Sequence, residues 1–411
     1  RIITAIFGFL QIRDFMNITY VLKERTMVFV NQVAEIVHRI VDEHLGAPNW
    51  NADGAFLLVW RVGLYGPHRL AQVADLSVVA FVQIIMEVSR NWSLAEYKKH
   101  PAFLEALRDG CTNRVNLGVG IHIGASIEGA IGSQFKVDTS YLSSHVNMAM
   151  TLGSAAGFYG VNMLVSEKLL LACHPPMHSF FRAIDFVKIP GHKKPERLFA
   201  IDLESETLPV KCHPGNRAAG KGFWAREMRE DLKQIRLEDA FEVHRLFGID
   251  PNLRRMRSRY KREFFQEFEK GFLNYVSGEW DVAYMAFLNA SRMLRYDDCP
   301  TDMWLDGPSC VLLDYIAGLF CQAPEGWPGY RELNFVPESP AVGLRWRDDT
   351  VPGRSGTSQR GEMKPKVQSV ASHSCNSASS LRLRFLGSTR RRAPSASAST
   401  TLSSASMPAT P

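Results

Sequence analysis

The sequence lacks the features that mark several large protein classes. Its seven cysteines, at 111, 173, 212, 299, 310, 321 and 375, are odd in number and form no C-x-x-C pair. That excludes a zinc-ribbon spacing and a disulfide framework, and it points to a reducing intracellular compartment, cytoplasmic or on the cytoplasmic face of a membrane. Long hydrophobic runs are missing too. The longest, "LSVVAFVQIIMEV" at 76–88, is interrupted by Gln83 and is too short to cross a bilayer, and no signal peptide precedes it. A soluble chain is expected. It opens on Arg1 and enters a strand-like run at once, as the downstream part of a longer protein would, so a membrane association is expected only through an upstream region. Charge of one sign is scarce in the body: residues 344–411 hold eleven Lys and Arg against three Asp and Glu, a net +8, so the preceding residues carry −2 of the total of +6. A near-neutral body gives no basic footprint for nucleic acid, and none is expected as a partner. The glycine-rich "GASIEGAIG" is not followed by G-K-[ST], which excludes a P-loop.

What is present is apolar patterning. Hydrophobic residues make up 45% of the 411, enough for one large core or two ordinary ones. "IITAIFGFLQI" (2–12) reads as a buried strand. Val30, Val33, Ala34, Val37, Ile40, Val41 and Leu45 recur at steps of three and four, which predicts a helix over 27–45 with Ala34, Val37 and Val41 toward the core. "NWNADGAFLLVW" (49–60) places an Asn/Asp/Gly turn before a second strand. A second helix is predicted over 70–91, then two strands within 116–138, a serine-capped helix ending at Gly157 or Gly160, and strands at "VNMLVS", "FRAIDFVKI" and "ERLFAIDL". The order β-α-β-β-α-β, with a helix and a terminal hairpin appended, is a ferredoxin-like, antiparallel α+β pattern with helices on one face.

Beyond 203, residues 204–258 are charged and irregular, a linker with some helix. Within 259–335, Tyr275, Gly278, Trp280, Ala283 and Phe287 are spaced as in one tetratricopeptide-like helix-turn-helix unit. One unit does not stand alone, so a helical extension packed on the core is expected, with a protein partner as the other use of such a segment. Residues 336–411 are basic and rich in Ser, Pro and Arg, which predicts disorder.

Several of these stretches together resemble a known family. "FGFLQIRDFMNITYVL", the patterning at 27–41, "NADGAFLLVW", "GVGIHIGASIEGAIGS", "FKVD", "VNMAM", "MLVSEKLL" and "KIPGHKKPERLFAIDL" look like a class III adenylate/guanylate cyclase catalytic domain, in the right order, over residues 1–203. "DGPSCVLLDYI" and "APEGWPGYREL" resemble the tails of large microbial eukaryotic cyclases.

The resemblance implies the nucleotide cyclase fold and, in active members, conversion of ATP or GTP to a 3′,5′-cyclic nucleotide and pyrophosphate in sites shared across a dimer. Two Mg²⁺ or Mn²⁺ ions then need two converging carboxylates. The first metal position is Gln11 and the second is Gly54, with Asp53 one place early and Asp14 three after Gln11 as displaced substitutes. The base-contacting Lys position is Trp50. Asp138 matches the base-reading Asp, Asn147 matches the transition-state Asn, and Thr151 stands where the transition-state Arg belongs. Lys193 and Lys194 fall in a hairpin that approaches the triphosphate in this family. His122, in an apolar strand, fits a buried, hydrogen-bonded histidine.

The expected function is therefore a cyclase-domain protein of cyclic-nucleotide signalling, weak or inactive alone, working as a homodimer or as a heterodimer with another cyclase domain. An active cyclase, with Mg²⁺ or Mn²⁺, is the alternative, and a protein-binding scaffold through the helical segment the second.

Overall fold

The computed structural model describes residues 1–97, 115–211, 223–294 and 306–333. The expectation for the tail at 336–411 lies outside them.

The chain begins with strand β1 (Ile2–Ile12), followed by helices α1 (Phe15–Leu22) and α2 (Thr26–Glu43), the hairpin β2 (Ala47–Ala52) and β3 (Ala55–Arg61), and helices α3 (Leu70–Arg90) and α4 (Trp92–Tyr97). Strands β4 (Leu117–Gly132) and β5 (Val137–Leu142) form an arm. Then come helix α5 (Ser144–Phe158), strand β6 (Met163–Ser166), helices α6 (Glu167–Ala172) and α7 (Pro175–His178), and the hairpin β7 (Arg182–Lys188) and β8 (Glu196–Ala200). The sheet runs β2-β3-β1-β4-β6-β8-β7-β9, where β9 is Arg331–Glu332. Its first four strands, β2-β3-β1-β4, are antiparallel neighbours and hold the βαββαβ order expected from the sequence. The later β6 joins β4 in parallel, because the α5 crossover returns the chain to the same edge. Thus the antiparallel core is extended by parallel pairs at β6 and at β9.

Alternation along β1 divides the core. Ile6 and Leu10 pack with Phe56, Leu58 and Trp60 beneath α2 and α3, while Ala5, Phe7 and Phe9 meet Ala55, Leu57 and Val59 on the other face. Val37 and Val41 are fully buried and Ala34 is partly buried against the same cluster, as the helical spacing predicts. The second face, expected to be free of helices, is covered by α5. Its approach depends on small residues, since a Cβ on Gly120 would fall 2.1 Å from the Ala149 carbonyl oxygen. Segment Pro67–Arg90 is long and apolar enough to span a membrane, yet 83% of its most apolar window is buried within the protein, as in a core helix.

Residues 204–258 contribute more to the core than a linker would. They include helices α8 (Phe223–Leu237), α9 (Leu246–Ile249) and α10 (Pro251–Arg257), and Leu208, Val243, Phe247, Leu253 and Met256 are buried with α2 and α3. Helices α11 (Arg262–Ser277) and α12 (Trp280–Met293) form the predicted helix-turn-helix around Gly278, at φ 88°, with α13 (Gly307–Gly318) beside them. Two buried charge clusters tie this segment to the sheet. Arg182 of β7 grips Asp202 (2.6 Å) and Asp306 (2.8 Å), the cap of α13, and Arg331 of β9 grips Asp185 (2.7 Å), which also accepts from Tyr159 (2.7 Å).

Val37→Ala is expected to cost about 1–3 kcal/mol in chemical denaturation, from lost methyls and part of a cavity. Asp306→Ala removes two hydrogen bonds from Arg182 and the side-chain cap of α13 while leaving Arg182 paired with Asp202, and is expected to cost about 2–4 kcal/mol. An unchanged midpoint in Asp306→Ala would mean the helical segment is not anchored through this cluster.

Candidate nucleotide and metal site

The two positions that the resemblance assigns to metal are close in the backbone. Gln11 pairs in register with Ala55, and the Ile12 amide donates to the Gly54 carbonyl at 2.9 Å, so residues 11 and 54 sit on adjacent strands at one end of the sheet. What they present is not a metal site. Gln11 offers a neutral amide. Asp53 and Gly54, at φ 49° and 74°, are the two central residues of a hairpin turn in which both must be left-handed. Asp53 is exposed at the tip, while Gly54 is buried. A Cβ on Gly54 would lie 2.5 Å from the Phe15 ring, so aromatic carbon fills the space a carboxylate would need.

Two of these neighbours were not singled out by sequence. Phe15, the first residue of α1, covers Gly54, and Arg13 shares the space beside Gln11. A Cβ on Gly118 of β4 would lie 3.4 Å from both Arg13 Nε and Gln11 Cγ. The Arg13 guanidinium also donates to the Val161 carbonyl. A fixed cation at this point repels dications rather than recruiting them. The period-two spacing of Gln11 and Arg13 was the available signal. Asp14 takes a left-handed conformation (φ 56°) at the start of α1 and is half-buried. Among the described residues, no group of three or more His, Cys, Asp and Glu is placed to hold a metal ion. The residues at positions 11, 13 and 54 do not fit the two dications the family resemblance implies.

The base-side positions are scattered. Asp138 lies on the exposed β4–β5 arm opposite Ile131, and its carboxylate pairs with Lys136 Nζ at 2.8 Å. Asn147 is exposed on α5, which begins after the Ser143 cap; five strand residues at ~3.3 Å each put Asp138 about 16 Å from that cap. Thr151 follows one helical turn later and is half-buried. Trp50 packs against Phe9 with ring centroids 6.3 Å apart. Lys193 and Lys194 are exposed in the β7–β8 loop.

His122 is buried and hydrogen-bonded, as its apolar strand predicts. Nδ1 meets Ser166 Oγ at 2.7 Å and Nε2 meets His145 Nδ1 at 2.9 Å. Burial first, and the neighbouring His145 second, push its pKa down to about 3. His44 is likewise lowered to about 3, by burial and then by Arg236. Ser166 caps α6 through the Leu169 amide, which makes it a structural hydroxyl rather than a nucleophile.

No family model matches the chain. An adenylate cyclase of Anabaena cylindrica is 30% identical over 79 residues, which cover 19% of this chain and 16% of that protein. Among solved structures, a bacterial light-regulated adenylyl cyclase shares 17% identity at a TM-score of 0.38, covering 49% of this chain and 91% of its own. The adenylyl cyclase CyaB from P. aeruginosa shares 16% at 0.38, covering 52% and 97%. The guanylyl cyclase Cya2 shares 18% at 0.36, covering 53% and 96%. All four are nucleotide cyclases by name, the family that the sequence motifs resemble.

Two outcomes follow from this geometry. Gly54→Asp is expected to lower stability by about 1–3 kcal/mol, through the positive φ and the Phe15 contact. With Phe15→Ala in the same chain the loss should be smaller than the sum of the two single losses, and strict additivity in the cycle would refute the contact. For the histidines, the folded pKa lies below the unfolded value near 6.5, so on acidification the unfolded state takes the proton first. Stability is fully present above about pH 6.5 and declines toward pH 3, by up to about 1.4 kcal/mol per pH unit for each group. His122→Asn should flatten the pH dependence of the urea midpoint by one proton; an unchanged slope would show that His122 is not held neutral.

Proposed function

We propose that residues 1–203 form a nucleotide cyclase-homology domain of intracellular cyclic-nucleotide signalling. It has little or no turnover of its own and pairs with a second copy or with a competent cyclase domain. The observation that carries this reading is the filled second metal position: Gly54 in a left-handed turn beneath the Phe15 ring, next to an amide at Gln11. Exposed Ile127, Ile131, Phe135, Val137 and Leu142 on the β4–β5 arm support pairing with another chain, because a protruding apolar ribbon gains from being covered. In a mixed dimer the partner would supply the carboxylates for Mg²⁺ or Mn²⁺, and Asp138 and Asn147 would be this chain's polar contribution.

The test is cyclic-nucleotide formation by purified protein with Mn²⁺ and ATP or GTP, alone and mixed with an active cyclase domain. No product is expected from the chain alone, and changed turnover is expected in the mixture. Gln11→Asp by itself should add nothing, because groups that act together are strongly non-additive. Partial activity requires Gln11→Asp, Asp53→Gly, Gly54→Asp and Thr151→Arg together. Robust turnover by the unaltered chain would overturn the reading and identify an enzyme.

A further inference from the structure

A second site lies in the segment that follows the β7–β8 hairpin. Residues 245–262 hold seven Lys and Arg against a single acidic residue, Asp250. Two of these cations are matched: Arg245 pairs with Glu242, and Arg259 with Glu204 at 2.7 Å. Arg254, Arg255 and Arg257 instead line a cleft of about 560 Å³, together with Phe247, Pro251 and Ser258. Among the described residues none of the three pairs with a carboxylate. Asp250 turns its carboxylate to the amides of Asn252 (2.7 Å) and Leu253 (3.4 Å), and the Asp202 carboxylate is held by Arg182 at 2.6 Å.

Arg257 is fixed in place. Its guanidinium carbon lies 5.4 Å from the Phe180 ring centroid and 5.8 Å from that of Phe247, and Nη1 donates to the carbonyls of Phe180 (3.5 Å) and Asp202 (3.3 Å). Burial, the largest influence, lowers its pKa from the ordinary arginine value. A desolvated cation without a bonded counter-ion is costly to maintain, and two exposed guanidinium groups share its cleft. Such a set of planar forks suits the tetrahedral oxygens of phosphate. The hollow is shallow and open, and three guanidinium groups within four residues converge on it, which suits a compact polyanion better than an extended chain.

We propose that this cleft binds the clustered phosphate groups of a small molecule, either a soluble polyphosphate or a multiply phosphorylated lipid headgroup. None of the residues lining this cleft is one of the cyclase-like positions.

The test uses the full chain at low salt, with inorganic pyrophosphate in calorimetry and with vesicles carrying phosphatidylinositol bisphosphate or only phosphatidylserine. Pyrophosphate binding assigns the soluble source, and binding only to the bisphosphate vesicles assigns the lipid source. In either case Arg254→Gln with Arg255→Gln should weaken binding about ten- to a hundredfold, the scale of a charge-assisted hydrogen bond, at an unchanged melting temperature. Arg257→Lys keeps the charge and loses the fork, and it should also weaken binding. The proposal is overturned if neither probe binds, if both vesicle types bind alike, or if a single-stranded oligonucleotide binds more tightly than pyrophosphate. It is also overturned if the double variant binds like the unaltered chain, since pyrophosphate held at the cyclase-like positions would survive that change.

Discussion

Strand β1 is the constraint on which the molecule is organised. It is hydrogen-bonded to β3 along one edge and to β4 along the other, and its alternating side chains supply both faces of the core. A slip of one residue would send Ile6 and Leu10 under α5 and Phe7 and Phe9 under α2, so the register is fixed by burial on both sides. The same register delivers Gln11 beside the β2–β3 turn. The geometry that would bring two metal ligands together is thus a consequence of the fold and persists whatever residues occupy those positions.

The residues that occupy them are neutral or cationic rather than anionic. An amide at 11, a guanidinium at 13 and an aromatic ring over 54 form a corner with no carboxylate at either of the two positions. Asp53 is exposed at the tip of the turn. Asp-Gly is a favoured pair for a tight hairpin, a conformational role that needs no catalysis.

Local periodicity made much of this legible in the sequence. The α2 face containing Val37 and Val41, the hairpin at "ADGA", the Ser143 cap and the order of the first four strands all follow from spacing within a few residues. Long-range packing was not legible. Phe15 reaches Gly54 only after the sheet forms, and the ion pairs of Arg182 with Asp306 and Arg331 with Asp185 join residues 124 and 146 positions apart. The charged stretch at 204–258 conceals its role for a similar reason. A few apolar residues, Val243, Phe247, Leu253 and Met256, anchor it, and their signal is diluted by the surrounding arginines and acids.

Calorimetric titration of ATP or GTP, with and without Mg²⁺, tests the central claim most directly. It is best made in a chain carrying Arg254→Gln and Arg255→Gln, so that the heat reports on the sheet rather than on the basic cleft. A metal corner lacking its anions predicts weak binding that is insensitive to Mg²⁺. Tight, strictly Mg²⁺-dependent binding that Asp14→Ala or Asp53→Ala abolishes would contradict it, and would make those displaced carboxylates working ligands.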